Sequence, residues 1–367
     1  MKVSINWIKD FVNLDGISND ELINRFTLST AEIEGAAVEG DLMNKVKIVE
    51  ITAVEKHPDA EKLNLVSFNT SEDECLRVVC GAKNVGVGKK VPFAPIGTSF
   101  PSGLILTPKK IRGVISEGML CSGEELGLED TSDGLYILEE DAPVGQTLGD
   151  FFGVSRDLIL DIDNKSLTHR PDLWGHFGMA REFSAIFNRE LCGSGHDIKE
   201  IVPDIPEIPM NVKVHPSSCA KAYWGLSIKN IKVRPSSTII QSRLKASGIN
   251  PKNNIVDISN YVMLELGIPN HIFDLDKLSG NLIEIKEIGS DLEFITLDEQ
   301  KRALVSTDTV VSDKSGPLVI AGIMGGQKSA VSEDTQNLFI EVANWDASRV
   351  RQTSTRLGLR TDSSQRY

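Results

Sequence analysis

Asn260, His271 and Glu341 carry the side chains best suited to chemistry in this sequence. Asn260 offers a donor and an acceptor together, and His271 offers two ring nitrogens. Glu341 follows the apolar run Leu338, Phe339, Ile340. A carboxylate there is costly unless a ligand or a neighbour satisfies it. Gly322, Gly325 and Gly326 allow backbone to approach a bound molecule closely. Plainer readings exist for each: Glu341 could pair with Arg349 or Arg351, and His271 could cap a turn after Pro269.

Several familiar sites are missing. Gly88 and Lys89 have Lys83 where the first glycine of a phosphate loop would stand, and no H-E-x-x-H zinc helix occurs. Gly113, Ser116 and Gly118 miss the G-x-S-x-G spacing by one residue, so a general serine esterase is disfavoured. The five cysteines, Cys75, Cys80, Cys121, Cys192 and Cys219, are scattered without a C-x-x-C pair, which argues against a disulfide framework or a zinc ribbon. His169 and His176 have no cysteine or carboxylate at metal spacing and read as surface or packed residues. No metal site is expected.

The elements that must position these residues fall into distinct textures. The 367 residues suffice for two or three cores, and 40% hydrophobic content excludes wholesale disorder. Ser4 ahead of Ile5, Ile8, Phe11 and Val12, and Ser18 with Glu21 ahead of Leu22, Ile23 and Phe26, predict two short opening helices. Apolar runs at 46–54, 63–68, 76–79 and 91–96, broken by prolines and glycines, predict a small all-β barrel. Helical spacing returns with Met179, Phe183, Ile186 and Phe187, predicting a helix that packs beside the first two. Residues 201–210, with Pro203, Pro206 and Pro209, read as a linker. Beyond them a mixed α/β region is expected, with a helix over 236–246 closed by Gly248 and strands at 309–311 and 318–321.

Net charge is -13, which excludes indiscriminate coating of nucleic acid. Two stretches nonetheless lack any acid. One, 208–256, holds Lys213, Lys221, Lys229, Lys232, Arg234, Arg243, Lys245 and Lys252; the other, 83–116, holds Lys89, Lys90, Lys109, Lys110 and Arg112. Basic faces on an acidic protein suit docking of one specific polyanion. No apolar run reaches a membrane span and no secretory leader opens the chain, so a cytoplasmic location without membrane association is expected.

The runs HPDAEKLNLVSFNT, CGAKNVGVGKKVPFAPIGT and IRGVISEGMLCSGEELGL resemble the tRNA-binding oligonucleotide-barrel (OB-fold) module shared by several synthetases and associated factors. Such barrels hold strands through a positive groove and stacking residues, and here the aromatics are only Phe68, Phe93 and Phe100. LTHRPDLWGHFGMARE resembles the segment that follows the inserted barrel in bacterial-type phenylalanine–tRNA ligase beta subunits, with His169 where members often carry asparagine. NNIVDISNYVMLELGIPNHIFD, IAGIMGGQKSAV and LFIEVANWDASRVRQTSTRLGLRTDSSQRY resemble the editing domain of the same family.

The resemblance implies an α+β multidomain chain: a small helical domain (1–39 with 152–195), an inserted OB-fold β-barrel (40–151) and a mixed α/β editing domain (205–367). It also implies that Glu341 accepts a hydrogen bond from a phenolic hydroxyl, that His271 and Asn260 position ester and water, and that Ser259, Gly322, Gly325, Thr361 and Ser363 line the pocket. Ser259 stands where threonine is common and Ser363 where alanine is often seen. The implied reaction is hydrolysis of tyrosyl ester on tRNA(Phe). Family members continue with further domains, so the chain is expected to be the N-terminal part of a longer subunit. ATP and Mg2+ then belong to the complete alpha2beta2 heterotetramer with the alpha subunit, and no cofactor to this part. The rival reading is a non-catalytic tRNA-binding or assembly module.

Overall fold

A computed structural model describes residues 1–71, 74–129, 131–192 and 210–367. Residues 201–209 of the expected linker lie outside these. The described chain forms two compact units, one of residues 37–158 and the other of residues 1–36 with 159–367.

In the first unit a five-stranded antiparallel sheet runs in the order Glu74–Cys80, Ala60–Ser71, Lys47–His57, Lys90–Pro95, Gly118–Leu120. Its ends nearly meet: the Val79 amide donates to Ser116 Oγ at 3.2 Å and the Arg77 amide to Glu117 Oε2 at 3.1 Å. The strand Lys47–His57 is buried on both faces only near its start, where Val49 and Ile51 enter one apolar cluster and Ile48 another, while Glu50 and Thr52 further along the Ile48 face are exposed. Phe68, Phe93 and Phe100 are all buried in these clusters, so they are core residues and offer no stacking platform. Gly118 is needed for close approach: a Cβ there would lie 2.6 Å from the Ala94 carbonyl oxygen.

The second unit opens with the helices Ile5–Ile8 and Asn19–Ser29, capped by Ser4 and Ser18, whose hydroxyls accept from the amides of Trp7 and Glu21. The first is shorter than the spacing predicts. It ends at Ile8; Phe11 is buried from the turn that follows and Val12 from an isolated antiparallel bridge with Leu191. The expectation of a purely helical segment also needs correction, since Lys2–Ser4, Asp157–Ile162 and Ile33–Glu39 form a three-stranded sheet. A strand as short as Lys2–Ser4 leaves no readable period. Helix His176–Phe187 packs on Asn19–Ser29 through Phe183 and Phe26, stacked at 5.1 Å.

The α/β part holds a mixed five-stranded sheet, Asn211–Val214, Leu282–Glu287, Thr309–Asp313, Gly316–Ile320, Met324–Gly325, and a three-stranded antiparallel sheet with Leu338–Trp345 between Ala220–Ile228 and Asn270–Asp274. Phe273, Ile283, Val311, Ile320 and Phe339 share one core. The helix expected over 236–246 begins at Thr238, after Ser237 in extended backbone, and the Ser236 hydroxyl donates to the buried Asp257 carboxylate at 2.5 Å. Among the described residues no helix is long and apolar enough to cross a membrane.

His176 ties the opening helix to the α/β part. The Ser4 amide donates to its Nε2 at 3.1 Å, so Nδ1 carries the proton and donates to the Leu264 carbonyl at 2.9 Å, while the ring stacks on Trp7 at 4.1 Å. It is a packed residue. Burial lowers its pKa from 6.5 to about 4. The unfolded chain therefore binds the extra proton between those values, and the stability carried by the neutral ring is present above pH 6.5 and lost as pH falls toward about 4. His176→Phe keeps the stacking but strands both backbone partners, and denaturant unfolding should show a loss of about 2–5 kcal/mol. The same measurement repeated at lower pH should show a shallower decline than in the wild type, by up to about 1.4 kcal/mol per pH unit.

Candidate active site

A helix, a turn and a strand bring the first residues together. Helix Asn254–Leu266 starts at Asn253, whose side chain accepts from the amides of Ile255 and Val256, and stops at Gly267, left-handed at φ 76°. The chain turns through Ile268 and Pro269 into Asn270–Asp274. Two hydrogen bonds close this corner: Ser259 Oγ donates to Asn270 Oδ1 at 2.7 Å, and Asn270 Nδ2 donates to the Ser259 carbonyl at 3.0 Å. Asn260 and His271, the next residue on each element, face a common cavity.

The central strand supplies Glu341, opposite His271 on one side and Gly225 on the other. Opposed residues in an antiparallel pair project to the same face. Gly225 makes room for the ring of Phe339, which would collide with any Cβ there. Glu341 is 5% exposed, and burial raises its pKa from 4.5 to about 7, opposed by a hydrogen bond from Tyr223 Oη to Oε2 at 2.9 Å. Neither expected arginine reaches it as a pair; Arg349 bonds to Glu287 at 2.6 Å instead.

Part of His271 remains accessible, but its Nε2 is buried with no hydrogen-bond partner among the described residues. The ring stands edge-on to Phe273 at 4.5 Å, and burial lowers its pKa from 6.5 to about 4. It is neutral at pH 7 and does not cap the turn after Pro269 through Nε2. An unpaired buried nitrogen on a cavity wall is costly unless a ligand or water meets it.

Gly322, in the turn after Gly316–Ile320, and Gly325, on the short strand Met324–Gly325 that follows it, form the third wall. Gly322 is left-handed at φ 70°. At Gly325 the constraint is His271 itself: a Cβ would lie 2.9 Å from Nε2 and closer still to Cε1. The glycine thus makes room for the imidazole. Helix Asp362–Arg366 completes the wall. Thr361 Oγ1 donates to the Ile323 carbonyl at 2.8 Å and Ser363 Oγ to the Gly322 carbonyl at 3.1 Å, so both hydroxyls clamp the helix to the glycine turn. Arg366 anchors it from behind, lying over Trp174 and donating to the Trp174 carbonyl.

Asn260, His271, Gly322, Gly325, Glu341, Thr361 and Ser363 therefore line one cavity of about 280 Å3. Ser259 does not line it but holds Asn270, which does. Sequence reasoning assigned no role to Asn270, Trp345 or Tyr367, which also line it, nor to Tyr223. Asn270 adjoins His271 and could have been picked out; Tyr223 meets Glu341 only through strand register. Among the described residues no group of three His, Cys, Asp or Glu side chains could hold a metal ion.

The basic residues are mixed. Lys109, Lys110, Arg112, Lys245 and Lys252 are exposed. Lys89 donates to the Asn84 carbonyl at 2.8 Å, and Lys90 to the carbonyls of Glu140 and Ala142 at 2.5 and 2.7 Å. Arg243 is paired with Asp10 at 2.5 Å and lies over Trp7, so it braces the fold.

A family model described as "B3/4 domain" matches residues 219–367, and one described as "Putative tRNA binding domain" matches residues 46–147. The phenylalanine–tRNA ligase beta subunit of Fusobacterium nucleatum is 38% identical over 366 residues, covering 100% of this chain and 45% of that protein. That of Clostridium acetobutylicum is 37% identical over 369 residues, covering 100% of this chain and 46% of that protein. The chain thus spans about half the length of these curated relatives. A solved N-terminal fragment of the phenylalanyl-tRNA synthetase beta subunit from Pyrococcus horikoshii is 18% identical with a TM-score of 0.29, over 55% of this chain and 61% of that one.

Gly325→Ala should push the imidazole out of its seat. The expected cost is about 1–3 kcal/mol of stability from overpacking, and the His271 resonance should titrate closer to the ordinary value of 6.5. A titration still depressed to about 4 in the variant would contradict this account of the glycine.

Proposed function

This chain belongs to the family of bacterial-type phenylalanine–tRNA ligase beta subunits, and on that premise we propose that its cavity hydrolyses tyrosine wrongly esterified to tRNA(Phe). The observation that carries this reading is a buried carboxylate, Glu341, opening with Asn260 and the unpartnered Nε2 of His271 onto a single cavity of about 280 Å3. That volume is near the lower end of ligand pockets.

In the proposed reaction a water oxygen attacks the acyl carbonyl carbon, the bond from that carbon to the terminal ribose oxygen breaks, and the ribose oxygen takes up a proton. Neutral His271 has one ring nitrogen able to accept and one able to donate, which suits it to hold water against the ester. The Asn260 amide, fixed on its helix next to the Ser259–Asn270 bonds, would orient the acyl group. The main contribution asked of these groups is orientation. Ionised Glu341 would accept from the substrate phenol, a bond that phenylalanine cannot make.

The same reading places the catalytic site for aminoacylation, with its ATP and Mg2+, in the complete alpha2beta2 ligase with the alpha subunit, in the cytoplasm. It divides the chain into a split domain of residues 1–39 and 152–195, a tRNA-binding-type barrel of 40–151, and an editing domain of 205–367. For tRNA contact, Lys109, Lys110 and Arg112 on the barrel, and Lys245 and Lys252 ahead of the Asn260 helix in sequence, are favoured by exposure. Lys89 and Lys90 are less so, since carbonyl groups hold their ammonium groups.

Deacylation assays on the complete ligase test the assignment. Glu341→Ala should slow hydrolysis of tyrosyl-tRNA about ten- to a hundredfold by removing a charge-assisted hydrogen bond of roughly 1.5–3 kcal/mol, with phenylalanyl-tRNA hydrolysis unchanged or slightly raised. His271→Ala should lower both. Equal losses in Glu341→Ala would make the carboxylate a general or structural group. Because the ionised form accepts the phenol, preference for the tyrosyl ester should rise as pH passes upward through about 7. Reversing charge at Lys245 and Lys252 should weaken tRNA binding and flatten its salt dependence by up to about one unit per lost phosphate contact. Unchanged affinity at low salt would remove that face from the interface.

A further inference from the structure

Tyr223 lies outside the cavity wall, on strand Ala220–Ile228, behind Glu341. Its register partner is Ala343, two residues along from Glu341, so its ring crosses diagonally over the strand to reach the carboxylate. The phenol donates to Oε2 at 2.9 Å, and the ring meets Trp345 edge-on at 6.3 Å, which limits where it can swing. No hydrogen bond to Oε1 is found among the described residues. The other titratable groups around this carboxyl are His271, opposite it, Tyr367, whose own hydroxyl donates to the Ala343 carbonyl at 3.1 Å, and Asp362 on the cavity wall, paired with Arg366 at 3.0 Å.

We propose that Tyr223 is a positioning residue for specificity: its phenol occupies Oε2 and fixes the carboxylate, so that Glu341 presents one oxygen, Oε1, in one orientation to a single hydroxyl on the acyl group. The inference rests on the proofreading reading and deepens it. A free carboxylate could rotate and accept from two donors at once, and ordering it on each binding event would cost side-chain entropy. With Oε2 already held, that ordering precedes binding, which is the usual gain from preorganisation. The same bond favours the ionised carboxyl, the form able to accept from a substrate phenol.

Y223F removes the donor and keeps the ring, so the test is Y223F beside wild type and E341Q in the complete ligase, with tyrosyl- and phenylalanyl-tRNA as substrates. For Y223F, kcat/KM on tyrosyl-tRNA should fall about three- to tenfold. The pH at which tyrosyl preference appears should move upward, and phenylalanyl-tRNA hydrolysis should not change. If Y223F hydrolyses tyrosyl-tRNA with wild-type rate and pH dependence, or loses both esters equally, Tyr223 is a packing residue and the inference fails. A wild type inactive on tyrosyl-tRNA would overturn the proofreading reading instead. In that event the titration of the 13C-labelled Glu341 carboxyl decides the inference separately: Y223F should raise its pKa, and an unmoved titration overturns the proposed coupling.

Discussion

An ionisable carboxyl in the middle of an apolar sheet is the constraint on which the site depends. Glu341 shares its strand face with Phe339 and Ala343, both buried, and sits between two neighbouring strands that already use its backbone. Raising its pKa from 4.5 to about 7 corresponds to a cost on the order of 3 kcal/mol for the charged form. The sign is that of a buried acid: the neutral form is favoured in the fold, and stability is lost as pH rises from 4.5 through about 7. A strand position occupied by leucine or valine would avoid the cost. One internal donor, Tyr223, offsets part of it. The remaining capacity of the carboxylate is directed at the cavity.

Other features of the α/β part serve to hold that cavity open at a fixed size. Gly225 yields space to Phe339, and Gly325 yields space to His271, so two glycines set the positions of the side chains beside the carboxyl. The wall opposite is a short helix that could not stand alone, since five residues are too few to be stable in isolation. It is held by the Thr361 and Ser363 hydroxyls at one end and by the buried Arg366 at the other. The helix bearing Asn260 is braced from the far side as well. Trp7 Nε1 donates to Glu265 at 3.0 Å, and His176 holds the Leu264 carbonyl. The opening residues of the chain thus bear on the geometry of a site more than two hundred positions away.

What could be read from sequence followed from how local each signal was. The caps at Ser4 and Ser18, four of the five strands of the barrel sheet and the helix His176–Phe187 rest on neighbours in the chain, and they were legible; the fifth strand, Gly118–Leu120, is too short to show a period. The three-residue strand Lys2–Ser4 and its partner Asp157–Ile162 were not, since their pairing joins residues far apart in the chain, such as Lys2 and Asp161. Glu341 stood out because a carboxylate after three apolar residues is anomalous in itself. Gly325 has a second reason that the sequence does not show: besides lining the cavity, it leaves the space that the His271 ring fills. Thr361 and Ser363 were placed on the cavity, but their hydroxyls turned out to be engaged with backbone. Tyr223 carried no signal, because nothing in an alternating strand marks which ring will lean across a register onto a carboxylate.

These features fit a site selecting by polarity where size is of no help. Tyrosine and phenylalanine differ by one hydroxyl, and an apolar pocket choosing the smaller rejects the larger by only about 10². A pocket whose buried acceptor must be satisfied selects in the other direction and far more sharply, by about 10⁴ or more, because the apolar ring leaves that acceptor bare. For this to work the acceptor has to be unable to relax toward another partner or toward water. Glu341 meets that condition on three sides: the strands to either side fix its backbone, Tyr223 holds one oxygen, and the expected arginine partner is bonded elsewhere. Burying the carboxyl thus lowers stability but leaves an acceptor that, in the proposed reaction, the tyrosyl phenol can satisfy and the phenylalanyl ring cannot.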